Sequence, residues 1–479
     1  MGAAVVTATD ADLGFAGAVS GFTVSAHLVD GERTPDLAGW LDQRLHATRF
    51  EVTRIPFGRM TGWYFEPDGG NLVHESRKYF SIEGLEVTTD RGDRDSWTQP
   101  IINQPEIGVL GVIVKSFEGV PHCLLQAKME PGNLNTLQLS PTVQATRSNY
   151  TRVHGGRTVP YLDYFTHPRR GRILADSIQS EQGSWFLYKR NRNMVVEVTE
   201  DIPLLDDFCW LTIGQVHELL RVDHMINMDT RTVLACLPFE PTGRARRPEV
   251  DGAYQQALLN SVAREQRPMH TIDEILGWMT EAKARHRFAR KYVPLSAVRR
   301  WRRGGSAISH EEGKYFDVIA VEVVAGNREV ARWCQPMLTP VEQGRVAMLV
   351  RSIGGVLHLL VQVRLEAGVL NVAELAPTLQ CNPKNTADLP GHRRPRYLDI
   401  VLAADSAQIR YDAVQSEEGG RFYQADTRYQ IIDVGEDFPL EVPDDFRWIT
   451  VRQLNELLRH SNYLNIQIRS MLAALHTTW

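Results

Sequence analysis

The chain has 479 residues, 43% of them hydrophobic and 23% charged, and 53 basic against 58 acidic side chains leave a net charge of −5. The length suggests two to four domains with real cores, and the charge balance argues against nucleic acid or an anionic membrane as partner. A small anionic ligand needs only a local basic cluster.

Residues 1–34 read as a flexible arm: Asp10 and Asp12 interrupt its Ala, Gly and Val, and no basic region opens it as in a secretory leader. No apolar run reaches the length of a membrane span. The cysteines (Cys123, Cys209, Cys236, Cys334, Cys381) lie far apart, with no CxxC pair and no Cys/His metal spacing, as expected of reduced thiols in a cytoplasmic protein.

After the arm, Leu37, Trp40, Leu41 and Leu45 make the apolar stripe of a helix. Ile107 to Phe117, a tight turn at Glu118-Gly119, and His122 to Glu130 predict a β-hairpin. A polar string follows from Gln138 to Tyr150, then Tyr161-Leu-Asp163 and the cluster Gln179-Ser180-Glu181. Thr212-Ile-Gly-Gln215 is a capping box that opens a closing helix.

The series then starts again. Lys78-Tyr79-Phe80, Trp97-Thr-Gln99-Pro100, Pro141-Thr142-Val-Gln144 and Gln179-Ser180-Glu181 each recur 236 residues later. Trp40, Trp63 and Trp210 recur 238 residues later, a difference that small insertions explain. The second helix carries Ile275, Trp278, Met279 and Ala282 behind a Thr271/Glu274 capping box, and the second closing helix opens at Thr450-Val-Arg-Gln453. So long a period predicts two domains, each with its own core. The expected division is a first repeat at 35–238, a linker at 239–272 and a second repeat at 273–479. Each repeat is expected to be α+β, a mixed sheet flanked by helices.

Side chains alternate along a strand, which puts Gln126, Lys128 and Glu130 on one face and Gln138, Ser140 and Thr142 on another. Such faces usually meet water, but Gln126, Glu130, Asn135 and Gln144 recur as Gln362, Glu366, Asn371 and Gln380. The Gln-Ser-Glu clusters fit either sugar-binding carboxylates and amides or a plain turn. Trp97 and Trp333 read as core residues, and the basic run Lys283 to Arg303 as a solvated face. No dinucleotide fingerprint, Walker A loop, HExxH or GxSxG is present.

The string QLSPTVQATRSNY at Gln138–Tyr150, its counterpart ELAPTLQ at Glu374–Gln380, and the twin Gln-Ser-Glu clusters resemble the NDP-hexose 2,3-dehydratases over almost the whole chain. The resemblance implies two Nudix-like domains, a homodimer, and elimination of the C2 hydroxyl of dTDP-4-keto-6-deoxy-D-glucose. The resulting 3,4-diketo-2,6-dideoxy sugar would pass to an NADPH-dependent 3-ketoreductase. No cofactor and no metal are implied, and the chain lacks the glutamate-rich Nudix box. On this reading Lys128, Glu130, Tyr150 and Glu181 are catalytic. Gln126, Asn135, Gln138, Ser140, Thr142, Gln144, Arg147, Gln179 and Ser180 bind substrate. A second pocket, working or vestigial, comprises Gln362, Arg364, Glu366, Glu374, Thr378, Gln380, Gln415, Ser416 and Glu417. The first copy is expected to do the chemistry, because the second has Ala376 in place of Ser140 and no evident partner for Tyr150. Against that stands the more highly charged loop Gln415–Arg421. A metal-dependent nucleotide-sugar pyrophosphatase and a non-catalytic nucleotide-sugar binder are the alternative functions.

Overall fold

The computed structural model describes residues 33–34, 36–90, 96–146, 159–167, 170–237, 252–264, 266–326 and 330–478. The predicted hairpin forms at Gly108–Phe117 with Val120–Met129, and the second copy has its twin at Gly344–Ile353 with Val356–Leu365. Glu118 and Gly119 at the first turn, and Gly354 and Gly355 at the second, all have positive φ, the conformation whose twist matches that of the flanking strands.

Around each hairpin a large mixed sheet grows from that copy's own strands. In copy one, Arg172–Ser180 pairs with Arg190–Glu197, which runs parallel to Gly108–Phe117, and Phe208–Thr212 closes the far edge against Val120–Met129. The short strands Leu137–Ser140 and Val143–Ala145 lie along the two hairpin strands. Copy two repeats this order with Ile409–Ser416, Asp426–Asp433, its hairpin and Phe446–Thr450. The halves are thus α+β and duplicated, and each large sheet packs its own core.

Two smaller sheets break that independence. The strand Phe50–Ile55 of copy one pairs with Phe316–Ala325 of copy two, and Phe288–Val293 of copy two pairs with Ser81–Thr89 of copy one. Each copy therefore lends a strand to the other. Ile55, Trp63, Leu72 and Phe186 share one core with Leu295, Phe316, Leu338 and Phe422. The expectation of a wholly separate core in each copy is corrected here. Alternation along a strand specifies which face is buried, not which chain segment lies alongside.

The expected capping boxes form, opening Ile213–Leu220, Ile272–Arg285 and Val451–Leu458. A further cap, not expected from the sequence, is Asp36, which accepts from Gly39 N at 2.9 Å. The expected linker is partly structure: Ala253–Val262 is a helix that buries Tyr254, Ala257, Leu258 and Val262 in copy two's core. Each copy also runs past its predicted closing helix into another, Met228–Leu234 and Ile466–Leu475, capped by Asn227 and Asn465. No described helix is long and apolar enough to cross a membrane.

Candidate active site

The turns that follow the hairpins are where the copies meet most closely. Gly132 N donates to Gly419 O at 2.7 Å, and Gln424 N to Gly132 O at 2.8 Å. The reciprocal pair is Gly368 N to Gly183 O at 2.5 Å and Tyr188 N to Gly368 O at 2.7 Å. A Cβ on Gly132 would sit 1.7 Å from Phe422 O, and one on Gly368 1.6 Å from Phe186 O. Only glycine lets the backbones approach this closely.

Behind these turns the contacts stay reciprocal, as in a two-fold interface. Arg231 donates to Ser416 O at 2.8 Å and to Ile226 O at 2.7 Å. Arg469 donates to Ser180 O at 2.5 Å, Leu464 O at 2.7 Å and Thr232 Oγ1 at 2.6 Å. Both guanidiniums are essentially fully buried. Gln179 reaches Leu458 O and Gln415 reaches Leu220 O, at 2.8 and 2.7 Å. Gln138 donates to Ser416 Oγ at 2.7 Å, whereas in the matching place Ser180 Oγ donates to Glu374 at 2.6 Å.

The result is two related polar sites, each built from both copies. In the first, Lys128 Nζ lies 3.2 Å from Glu130 Oε1, which also accepts from Gln144 at 2.9 Å. Asn227 donates to Ser140 Oγ at 2.9 Å and to Gln144 Oε1 at 3.3 Å. Glu181 accepts from Asn191 at 2.7 Å through one oxygen, and its other oxygen is buried without a partner. Asp229 and Glu418 each also keep one buried oxygen unpartnered. Burial and the neighbouring carboxylates, above all Glu181, hold Asp229 well above the usual carboxylate range. Burial likewise raises Glu181, against the pull of Arg469 and Lys189. Burial and then Glu130 push Glu418 up to about 7, with Arg421 opposing. Lys128, Gln144 and Glu418 are only partly buried and form the accessible edge.

In the second site, Glu366 accepts from Arg364 at 2.9 Å, Gln380 at 3.2 Å and Ser184 at 3.2 Å. Glu417 accepts from Gln182 at 2.7 Å and from Tyr429 at 3.2 Å. The sites differ at several positions, among them Lys128 and Ser140, which are Arg364 and Ala376 in the second, and two of the differences exchange a carboxyl for an amide. Where the first has Glu418 and Asp229, the second has Gln182 and Gln467. The first site thus gathers four carboxyls, Glu130, Glu181, Asp229 and Glu418, while the second has amides at two of those places. A cavity of about 650 Å³ lies elsewhere, between Leu174–Ser177 and the helix Val451–Leu458.

The model of the family described as NDP-hexose 2,3-dehydratase matches residues 34–237 and again 272–475. The chain belongs to this family. It is similar to three curated relatives, each named dTDP-4-dehydro-6-deoxy-alpha-D-glucopyranose 2,3-dehydratase. The relative from Saccharopolyspora spinosa is 55% identical over 93% of this chain and 92% of its own length. That from Streptomyces violaceoruber is 51% identical over 93% and 98%, and that from Amycolatopsis orientalis 46% over 95% and 93%.

Within this dehydratase-family chain, the first site brings together Lys128, Glu130, Ser140, Gln144 and Glu181 of the expected residues. Gln126 is half-buried opposite Ser140 in the same sheet. Asn135 is exposed and donates to His224 O at 3.0 Å. Gln138, Gln179 and Ser180, with Gln415 and Ser416, join the contacts between copies. Thr142 does not join the site: its hydroxyl is used within the sheet, on Leu124 O and Ile113 N. Thr378 is placed the same way, on Leu360 O and Leu349 N, and Gln362 caps Pro377 O and Thr378 O. Arg147 and Tyr150 lie outside the described residues. Trp97 and Trp333 are half-buried against core residues, each bonded to the glutamine two places on. The run Lys283–Arg303 is partly engaged rather than simply solvated, as where Arg299 pairs with Glu86 at 3.1 Å and Arg300 with Glu311 at 2.8 Å. Sequence reasoning missed Asn227, Asp229, Arg231 and Arg469. The signal was there: Asn227 and Arg231 recur as Asn465 and Arg469 at the 238-residue shift.

Proposed function

We propose that this chain is a hydro-lyase that removes the C2 hydroxyl of dTDP-4-keto-6-deoxy-D-glucose, giving a 3,4-diketo-2,6-dideoxy sugar in deoxysugar biosynthesis. The observation that carries this reading is near-full-length similarity, at 46% to 55% identity, to relatives named for that reaction. The chemistry needs a base at C3, donors at O4 and an acid at the C2 hydroxyl. The C4 ketone acidifies the C3 proton, so a carboxylate suffices as base. Glu130 is our base, oriented by Lys128 and Gln144. On this reading Lys128 turns its ammonium towards O4 as the enolate forms, the kind of aimed charge that lowers such barriers most. Glu181, held by Asn191 and by the Arg469 contact to Ser180 O, supports the charge pattern around them, and Tyr150 completes the expected set. The choice of the first site rests on its carboxyls Asp229 and Glu418, where its twin has the amides Gln467 and Gln182.

The mixed sheet with its parallel central pair supports a Nudix-like reading of each copy. We further propose a cytoplasmic homodimer whose product feeds an NADPH-dependent 3-ketoreductase. The test is incubation with dTDP-4-keto-6-deoxyglucose, with and without a ketoreductase and NADPH, followed by mass analysis. Loss of one water is the expected result. Release of dTMP in the presence of Mg²⁺ would instead point to pyrophosphate hydrolysis, and tight binding with no turnover over hours to a binding protein.

A further inference from the structure

Copy one brings its own raised carboxyl, Asp229, to the first site, but that residue is only 4% exposed, whereas Glu418 of copy two is partly buried. The loop Glu418–Arg421 of copy two lies against the first site. Gly419 O accepts from Gly132 N, and a Cβ on Gly419 would fall 3.1 Å from Glu130 Cβ and 2.1 Å from Asn133 Oδ1. Gly420 N donates to one oxygen of Glu418 at 3.0 Å, and the other oxygen has no partner. Asn133 Oδ1 and Asp229 Oδ1 are also unpartnered, in residues only 7% and 4% exposed. So many unmet acceptors in one place call for a proton or a ligand hydroxyl.

We infer that Glu418, from the second copy, donates the proton that lets the C2 hydroxyl leave in the first site. The inference rests on the dehydratase reading. Charged neighbours surround Glu418 on every side: Glu130 from the turn, Glu181 and Lys189 from the strands, Asp229 from the helix and Arg421 from its own loop. Carboxylates crowded this way cannot all ionise, so one keeps its proton near neutrality. Arg421 stacks on Phe80 at 4.2 Å and donates to Gly420 O at 2.8 Å, which fixes the loop.

The proton count closes. Glu130 takes the C3 proton. The electron pair expels the C2 hydroxyl, which leaves as water with the proton of Glu418. The C2=C3 enol then gains a proton at C2 from Glu130 and loses its O3 proton to Glu418, so both carboxyls return to their starting states and the net loss is one water.

The twin site makes a clean test possible, because the fold already carries an amide at this position in Gln182. Glu418→Gln is expected to melt no lower than the wild type, since a carboxyl raised by burial is removed, and to keep its calorimetric affinity for dTDP. Its turnover should fall by about 100-fold or more, the range for losing a general acid. An alkaline limb in the wild-type profile, expected around pH 7 in kcat/KM for the free enzyme, should disappear. Glu418→Asp should recover part of the rate with a shifted limb, and it decides the matter should the Gln variant fail to fold. Turnover within about threefold of wild type with an unchanged profile, in whichever variant folds, overturns the assignment of Glu418 alone. A wild-type chain that leaves the ketosugar intact overturns the dehydratase reading with it.

Discussion

Glu374 is 1% exposed, accepts from Ser180 Oγ at 2.6 Å through one oxygen, and has no partner for the other. Burial pushes its carboxyl up to about 7, against the donation from Ser180 and the charge of Arg469. Its counterpart in the first copy is Gln138, equally buried and bonded to Ser416. Glu374→Gln therefore installs a side chain the fold already holds in the matching place. The folded state keeps the Glu374 proton more tightly than the unfolded chain, whose ordinary value is 4.5. Its contribution to stability is then fully present below about pH 4.5 and lost as pH rises through about 7. The span corresponds to about 3 kcal/mol at about 1.4 kcal/mol per pH unit. At about 2 cal/mol/K per residue over 479 residues, that is a shift of about 3 °C in melting temperature. Thermal unfolding of both proteins from pH 5 to 8.5 checks it. The variant should gain about 3 °C on the wild type across that range. Parallel curves would show that burial of this carboxyl carries no such penalty.

Lys128→Ala should lower turnover by about ten- to a hundredfold, as expected for losing one aimed charge, measured by mass analysis of the product. Elimination should survive exhaustive chelation, and loss restored by a divalent ion would refute that. Residues 33–251 expressed alone should be insoluble or unfolded, because Ser81–Thr89 loses its partner strand Phe288–Val293. Co-expression with 252–479 should restore a soluble complex, checked by size-exclusion chromatography, and a folded monomer from either half alone would count against the shared core.

Much of the architecture was legible because local chemistry writes it. Two-residue turns, capping boxes and the 236-residue shift need no tertiary information. The exchanged strands were hidden for the opposite reason: Phe50–Ile55 and Phe288–Val293 follow similar patterns, and nothing local distinguishes a neighbour in the same copy from one in the other. The site was half legible. Lys128, Glu130 and Glu181 stood out as charges among amides. The loop at Glu418 was noticed for its charge but counted towards the second copy, since sequence position says nothing about which site a loop reaches. Thr142 misled in the other direction, being polar in a polar string yet satisfied by backbone groups on two strands. Arg231 and Arg469 drew no attention in the sequence, because only the folded chain shows backbone carbonyls from both copies converging on them.

The reciprocal loops bear on how such a protein can change. In a pair of identical separate chains, every substitution would be written into both sites at once, so an acid gained in one would be gained in the other. Joined in a single chain, positions 182 and 418 vary independently, as do 229 and 467. One site can then specialise while the other keeps its amides and goes on bracing the shared interior. Inheritance here runs crosswise: a change in the second half of the gene is felt in the pocket of the first.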